Sequence, residues 1–330
     1  MVCEGRDDVD ILLAAGLLVA GLVLLFFGAR WLVDGASALA LKKGISRLVV
    51  GLTIVALGTS APEAILAFFS SLEGANELSL GNVLGANVAN IALILGVSSL
   101  IAPLAIKVSA IWRQLVFLVL SLFLLILFAL DGRYSLLDGL GLFLTLLAFF
   151  TVLYVVSVRK REAPAFIEEE LEDVQEVRRR RTNRFIYLLI VVGAALLTLG
   201  AQAVIVGATD IARFAGVQEE VIGYTLIAFG TTIPELTVGI TGSRKGELEV
   251  VLGNVLGTVI MNSLFVIGIG AVVAGFDVTG PVVWAGLVAM AGFVLGTIIL
   301  VMVTERISRP MGAVLLSLYA TYLLVVVFLL

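Results

Sequence analysis

The chain has 330 residues, 61% of them hydrophobic, with a mean hydropathy of +1.16; this excludes a water-soluble domain and describes a polytopic membrane protein. Formal net charge is −4, with no histidine and one cysteine, Cys3. A disulfide framework, a histidine-bound zinc or haem and a histidine proton relay are thereby excluded, and no nucleic-acid partner or organic cofactor is expected.

The first ten residues hold Glu4, Asp7, Asp8 and Asp10. A cleavable signal peptide starts basic, so the first apolar run reads as a retained span. Ten apolar runs follow, at about 11–41, 46–71, 78–103, 111–130, 136–158, 185–215, 219–243, 247–273, 280–303 and 310–329. Most are close to the roughly 20 residues that a helix needs to cross a bilayer. The first and sixth are longer, and are expected to tilt or to lie partly in the interface.

With the N-terminus outside, seventeen Lys and Arg residues fall on inner segments and three, Arg6, Arg133 and Arg213, on outer ones. That asymmetry predicts a multi-pass membrane protein with both termini on the outer side. Arg30 lies within the first span, four residues before Asp34, and the two are expected to pair. The sizeable polar piece, 159–184, runs basic, acidic, basic and reads as a solvated cytoplasmic helix anchored by arginines.

Sliding the chain on itself by 172 residues lays Gly51–Gly96 on Gly223–Gly268 without a gap, with 18 of 46 positions identical. Shared leucines would mean only two alike apolar helices; matched Gly, Thr, Pro, Glu and Asn in one register mean an internal repeat. The copies are five spans apart, and five is odd, so they cross the membrane in opposite directions. The predicted fold is therefore an all-α polytopic membrane protein. Its ten transmembrane helices form two inverted five-helix repeats, 1–158 and 185–330, joined by the cytoplasmic loop 159–184.

The two most informative stretches are Gly58-Thr59-Ser60-Ala61-Pro62-Glu63 and its twin Gly230-Thr231-Thr232-Ile233-Pro234-Glu235. Each sets a carboxylate and two hydroxyls beside a proline within an apolar span. Proline interrupts the backbone ladder and frees carbonyl groups, and charge in a membrane core marks a site or pathway. Broken helices in corresponding positions of two halves point to a transporter's binding site. In the next span Asn82, Ala86 and Asn90 form one stripe, mirrored by Asn254, Thr258 and Asn262. Gly81 and Gly85, with Gly253 and Gly257, let the broken helix press against it. Asn90 and Asn262 are assigned to the site on this stripe; Asn82 and Asn254 read equally well as interhelical contacts.

All these side-chain ligands are oxygens, the set that hard cations take; calcium accepts roughly 6–8 of them in flexible geometry. Two glutamates neutralise one divalent ion, or hold sodium ions or protons instead. No nucleophile–base constellation is present, so an enzyme is not expected.

At these motifs, with GNVLGANVAN and GNVLGTVIMN following them, the chain resembles the cation/calcium antiporter superfamily, and within it the prokaryotic sodium/calcium exchangers. The resemblance covers the whole chain. It implies a monomeric secondary antiporter in the bilayer of the plasma membrane, its termini extracellular, exchanging Na+ for Ca2+ at mid-membrane by alternating access. It implies calcium ligands Thr59, Glu63, Thr231 and Glu235, and sodium ligands that add Ser60, Thr232, Thr258 and the carbonyls of Ala56 and Ala228. It also implies that the first and sixth helices slide against the other eight. Two positions depart from the family pattern: Ala86 stands where a serine is frequent, and Asn262 where an aspartate is. They leave Ca2+/H+ exchange on the same glutamates as the alternative.

Overall fold

The structure, a computed structural model, describes residues 4–72, 76–159, 182–215, 228–278 and 281–329. The first half runs α1 (Glu4–Lys43), α2 (Arg47–Val50), α3 (Ala56–Thr59), α4 (Ala61–Leu72), α5 (Asn76–Ala89), α6 (Leu95–Ile101), β1 (Leu104–Ala105), α7 (Val108–Ala129), β2 (Arg133–Tyr134) and α8 (Leu136–Arg159). The second runs α9 (Asn183–Phe214), α10 (Ala228–Thr231), α11 (Ile233–Arg244), α12 (Leu248–Met261), α13 (Ile267–Val273), β3 (Phe276–Asp277), α14 (Pro281–Thr304), β4 (Arg306–Ile307) and α15 (Arg309–Leu329). Three π-helical turns join helices end to end: Gly51–Val55 between α2 and α3, Asn90–Ile94 between α5 and α6, and Asn262–Val266 between α12 and α13.

Among the described residues seven helices are long and apolar enough to cross a bilayer, or eight when the bent pair Arg47–Thr59 and Glu63–Phe69 counts as one span. The pair bends by 53°, at the expected break in the second run. The apolar part of α15, Arg309–Val325, is a shorter helix. The expected seventh span starts in 219–227, outside the described residues, as does 160–181 of the expected cytoplasmic loop.

Local chemistry sets the helix ends. Gly44, at φ +67°, closes α1 in the left-handed region that a glycine enters without steric cost. Ser46 Oγ then accepts the Val49 N–H at 3.3 Å and caps α2. At the start of α8, Asp138 Oδ2 accepts the Ser135 N–H at 2.8 Å and Ser135 Oγ accepts the Asp138 N–H at 3.4 Å, a reciprocal capping box. The neighbouring Tyr134 hydroxyl donates to the Leu125 carbonyl at 2.7 Å. Burial, and then the Asp138 carboxylate, push that phenol's pKa up, so it remains a donor.

The packing repeats itself under exchange of the two halves. α1 and α9 run antiparallel in backbone contact, through glycines spaced by seven on both helices. A Cβ on Gly28 would stand 2.9 Å from the Gly193 carbonyl oxygen, and one on Gly200 2.9 Å from that of Gly21. Gly21 and Gly28 map on Gly193 and Gly200 at the 172-residue offset, so each contact is the other with its halves exchanged. The strands do the same: β1 pairs antiparallel with β4, and β2 with β3.

The apolar core is divided. One cluster centres on α5–α8 and α12–α15, and a second joins α1 and α9 to Val50, Val55, Val238 and Val250. The expected Arg30–Asp34 pair is not formed. Asp34 Oδ1 instead lies 2.7 Å from Lys245 Nζ, which ties α1 to the end of α11. An (i, i+4) spacing on one helix cannot register a cation brought in from another.

Candidate functional site

Each expected site residue is buried, apart from Ala228, whose side chain lies outside the described residues. Thr59 ends α3 and Glu63 falls in the first turn of α4, with Ser60 at the joint, φ −79° and ψ 0°. The twin is built alike: Thr231 ends α10, Thr232 is the joint, and Glu235 is in the first turn of α11.

The halves interlock at these residues. Thr59 Oγ1 donates to Asn254 Oδ1 at 3.2 Å, and Thr231 Oγ1 donates to Asn82 Oδ1 at 3.2 Å. One bond becomes the other when the 172-residue offset is applied to both partners. α4, which carries Glu63, packs on the π-turn that Asn262 opens, and α11, which carries Glu235, packs on the π-turn that Asn90 opens. Gly253 and Gly257 seat α12 on the segment leading into α3, where a Cβ on Gly257 would meet the Leu52 carbonyl oxygen at 2.6 Å. This is the close approach that the glycine spacing predicts; at Gly81 and Gly85 a Cβ would meet nothing within 4 Å among the described residues, and the matching segment 223–227 lies outside them. Glu235 lies near Glu63 and near the Thr59 hydroxyl.

The result is a buried set of oxygens. Both oxygens of Glu63 and of Glu235, the hydroxyls of Ser60, Thr232 and Thr258, and the amide oxygens of Asn90 and Asn262 have no hydrogen-bond partner among the described residues. Leaving a buried carboxylate charged and without a partner costs several kcal/mol, a cost that a bound cation or a proton would offset. No group of three or more His, Cys, Asp and Glu side chains occurs among the described residues. The set therefore holds two acidic groups, with neutral oxygens completing it, which matches the hard-cation chemistry of Ca2+ or Na+.

The Ala56 carbonyl is already engaged. It accepts the Ser60 N–H at 2.9 Å and the Thr59 hydroxyl at 3.3 Å. Thr59 has one proton for two acceptors, Ala56 O and Asn254 Oδ1. An ion on the Ala56 carbonyl would leave that proton to Asn254.

Sequence reasoning divided Asn82 and Asn254 between two roles; the structure makes both acceptors for the site threonines. It missed Asn87, whose Nδ2 donates to Ser263 Oγ at 3.2 Å with Met290 Sδ at 3.6 Å. Asn87 lies one residue off the Asn82–Asn90 stripe, and its contact crosses between repeats, so no spacing signals it.

A family profile described as sodium/calcium exchanger protein matches residues 13–155 and 185–328. The chain belongs to the sodium/calcium exchanger family. It is 33% identical over 316 residues to the putative antiporter CaxA of Alkalimonas amylolytica, covering 94% of this chain and 98% of that one. It is 28% identical to the sodium/calcium exchanger MaX1 of Methanosarcina acetivorans, covering 94% and 97%. The solved sodium-calcium exchanger NCX_Mj, in crystals soaked with Na+ and Sr2+, superposes with a TM-score of 0.78 at 28% identity, covering 94% of this chain and 97% of that one. As a member of the exchanger family the protein is a membrane transporter, a cation/calcium antiporter.

Proposed function

We propose that the protein exchanges Na+ for Ca2+ across the plasma membrane, as a monomer of ten transmembrane helices in two inverted repeats, 1–158 and 185–330. Alternating access takes place about one mid-membrane site. Calcium is held by Glu63, Glu235, Thr59 and Thr231. Sodium uses the same carboxylates with Ser60, Thr232, Thr258, Asn90, Asn262 and the carbonyls of Ala56 and Ala228. Both termini face outward and the 159–184 loop is cytoplasmic.

One observation carries this reading: two buried carboxylates without hydrogen-bond partners among the described residues, each in the first turn of a broken helix, in halves joined by threonine–asparagine hydrogen bonds that interchange when the halves are exchanged. Two matched half-sites facing each other suit a site that opens alternately to either side.

Ca2+/H+ exchange on the same glutamates is a second reading. It draws on Ala86, which offers no hydroxyl, and on Asn262, which offers no charge. Calcium uptake into proteoliposomes separates the two. A sodium gradient at fixed pH should drive it, and a pH gradient without sodium should not. Uptake driven by the pH gradient alone would transfer the assignment to protons.

A further inference from the structure

A cavity of about 220 Å3 lies between α1 and the first turns of α9, lined by Phe27, Arg30, Trp31, Asp34, Phe185 and Leu189. None of these residues belongs to the ion site. Phe27, Trp31 and Phe185 are exposed, and on a membrane-spanning bundle exposed apolar surface faces lipid. Arg30 is exposed with them.

The charges around this cavity do not cancel. The Asp34 carboxylate is engaged by Lys245 Nζ at 2.7 Å, and Lys245 also reaches the Arg30 backbone carbonyl at 3.4 Å. One carboxylate therefore stands against two cations, and the Arg30 guanidinium has no carboxylate partner among the described residues. Arg184 adds positive charge beside Phe185. A guanidinium directed at lipid needs an anion or a route to the headgroups. Phe185 and Leu189 belong to the opening turns of α9, which starts at Asn183. Lys245, the residue that caps the end of α11, reaches the Arg30 backbone carbonyl, so the long Arg30 side chain extends from near a helix end toward the depth of headgroup phosphates and interfacial aromatic residues.

We infer that this cavity is a binding site for an anionic phospholipid. Its phosphate sits on the Arg30 fork, and its acyl chains follow Phe27, Trp31 and Leu189. The planar guanidinium matches phosphate oxygens in pairs. A free phosphate ion would leave the aromatic walls uncovered, and a zwitterionic lipid brings its own cation to a place already rich in them.

Trp31 reports on the site directly. The chain has three tryptophans, so Trp112→Phe with Trp284→Phe leaves Trp31 as the emitter in the full-length protein. The probe is a phosphatidylcholine nanodisc carrying the same small fraction of brominated phosphatidylglycerol or of brominated phosphatidylcholine. The brominated anionic lipid should act on Trp31 as though enriched about fivefold, the effect of one basic residue near an anionic surface. Arg30→Gln should remove the excess and Arg30→Lys should keep part of it. Inorganic phosphate should reduce it no more than chloride at equal ionic strength. Equal quenching by the two lipids in the Arg30 protein, or an excess that survives Arg30→Gln, overturns the proposal. Specific loss on adding phosphate also overturns it, in favour of a free-anion site.

Discussion

The two halves of the site are copies that have not stayed equal. In the first, Asn90 Nδ2 donates to the Ala86 carbonyl at 2.8 Å, so that amide is tied back to its own helix and offers one free oxygen. In the second, neither Asn262 Nδ2 nor Asn262 Oδ1 has a partner among the described residues, and Thr258 adds an unpartnered hydroxyl. Ala86 offers a methyl at the corresponding place. The carboxylates and their threonines are matched, while the amide stripes are lopsided. The shared elements are those assigned to calcium, and the unequal ones those assigned to sodium. On the assignment proposed above, this divergence between the copies falls on the sodium set.

The strongest way to break this comparison is at the matched part. Glu63→Gln and Glu235→Gln should each abolish calcium uptake into vesicles, because each removes half of the charge that neutralises the ion. Near-normal uptake by either variant would mean that the carboxylates do not share an ion.

The sum of the two halves sets the response to voltage. Two glutamates with one Ca2+ carry no net charge, whereas with three Na+ they carry one positive charge. Moving that charge couples exchange to potential by about 2.3 kcal/mol per 100 mV. Flux measured under imposed potassium diffusion potentials should follow this; indifference would indicate two sodium ions or two protons per calcium.

Restoring the missing hydroxyl sharpens the comparison. Ala86→Ser should strengthen sodium competition against calcium by about tenfold, within the roughly 1–3 kcal/mol of an unmade polar contact. Calcium affinity without sodium should change less. Calcium titrations at several sodium concentrations test this, and an unchanged sodium dependence would remove Ala86 from the lining of a sodium site.

The smallest effect is expected at a contact that has no twin. Asp34 and Lys245 correspond, at the 172-residue offset, to Val206 and Glu73, which cannot form a cation–carboxylate pair. The Asp34–Lys245 bridge is partly exposed, so a double-mutant cycle on Tm in detergent, with Asp34→Asn and Lys245→Gln, should give a coupling of about 0.2–1 kcal/mol. A coupling several times larger would make the bridge a main fastening of α1.

The sequence made the site legible through its register. An offset that superposes Thr59 and Asn82 on Thr231 and Asn254 already singles out the four residues that the two inter-repeat hydrogen bonds join. It could not say which asparagine meets which threonine, because the bond from Thr59 goes to the opposite copy. Nor could it show that the Ala56 carbonyl is occupied, since a proline motif says that the ladder breaks without saying which acceptors find new donors. The π-turns at Asn90 and Asn262 have no compositional mark: their residues are ordinary apolar helix formers. The Arg30–Asp34 reading failed because Lys245 lies far along the chain and only tertiary packing brings it to Asp34.

The π-turns at Asn90–Ile94 and Asn262–Val266 also bear on ancestry. A π-turn is a helix with one residue too many, and one extra residue rotates everything beyond it by about 100°. A helix that gained such a residue late would have had to repack its far end. Both copies carry it at the same position, beginning at the same asparagine. A half-length ancestor that already contained the insertion accounts for both with one event, and dates the irregularity to before the gene doubled.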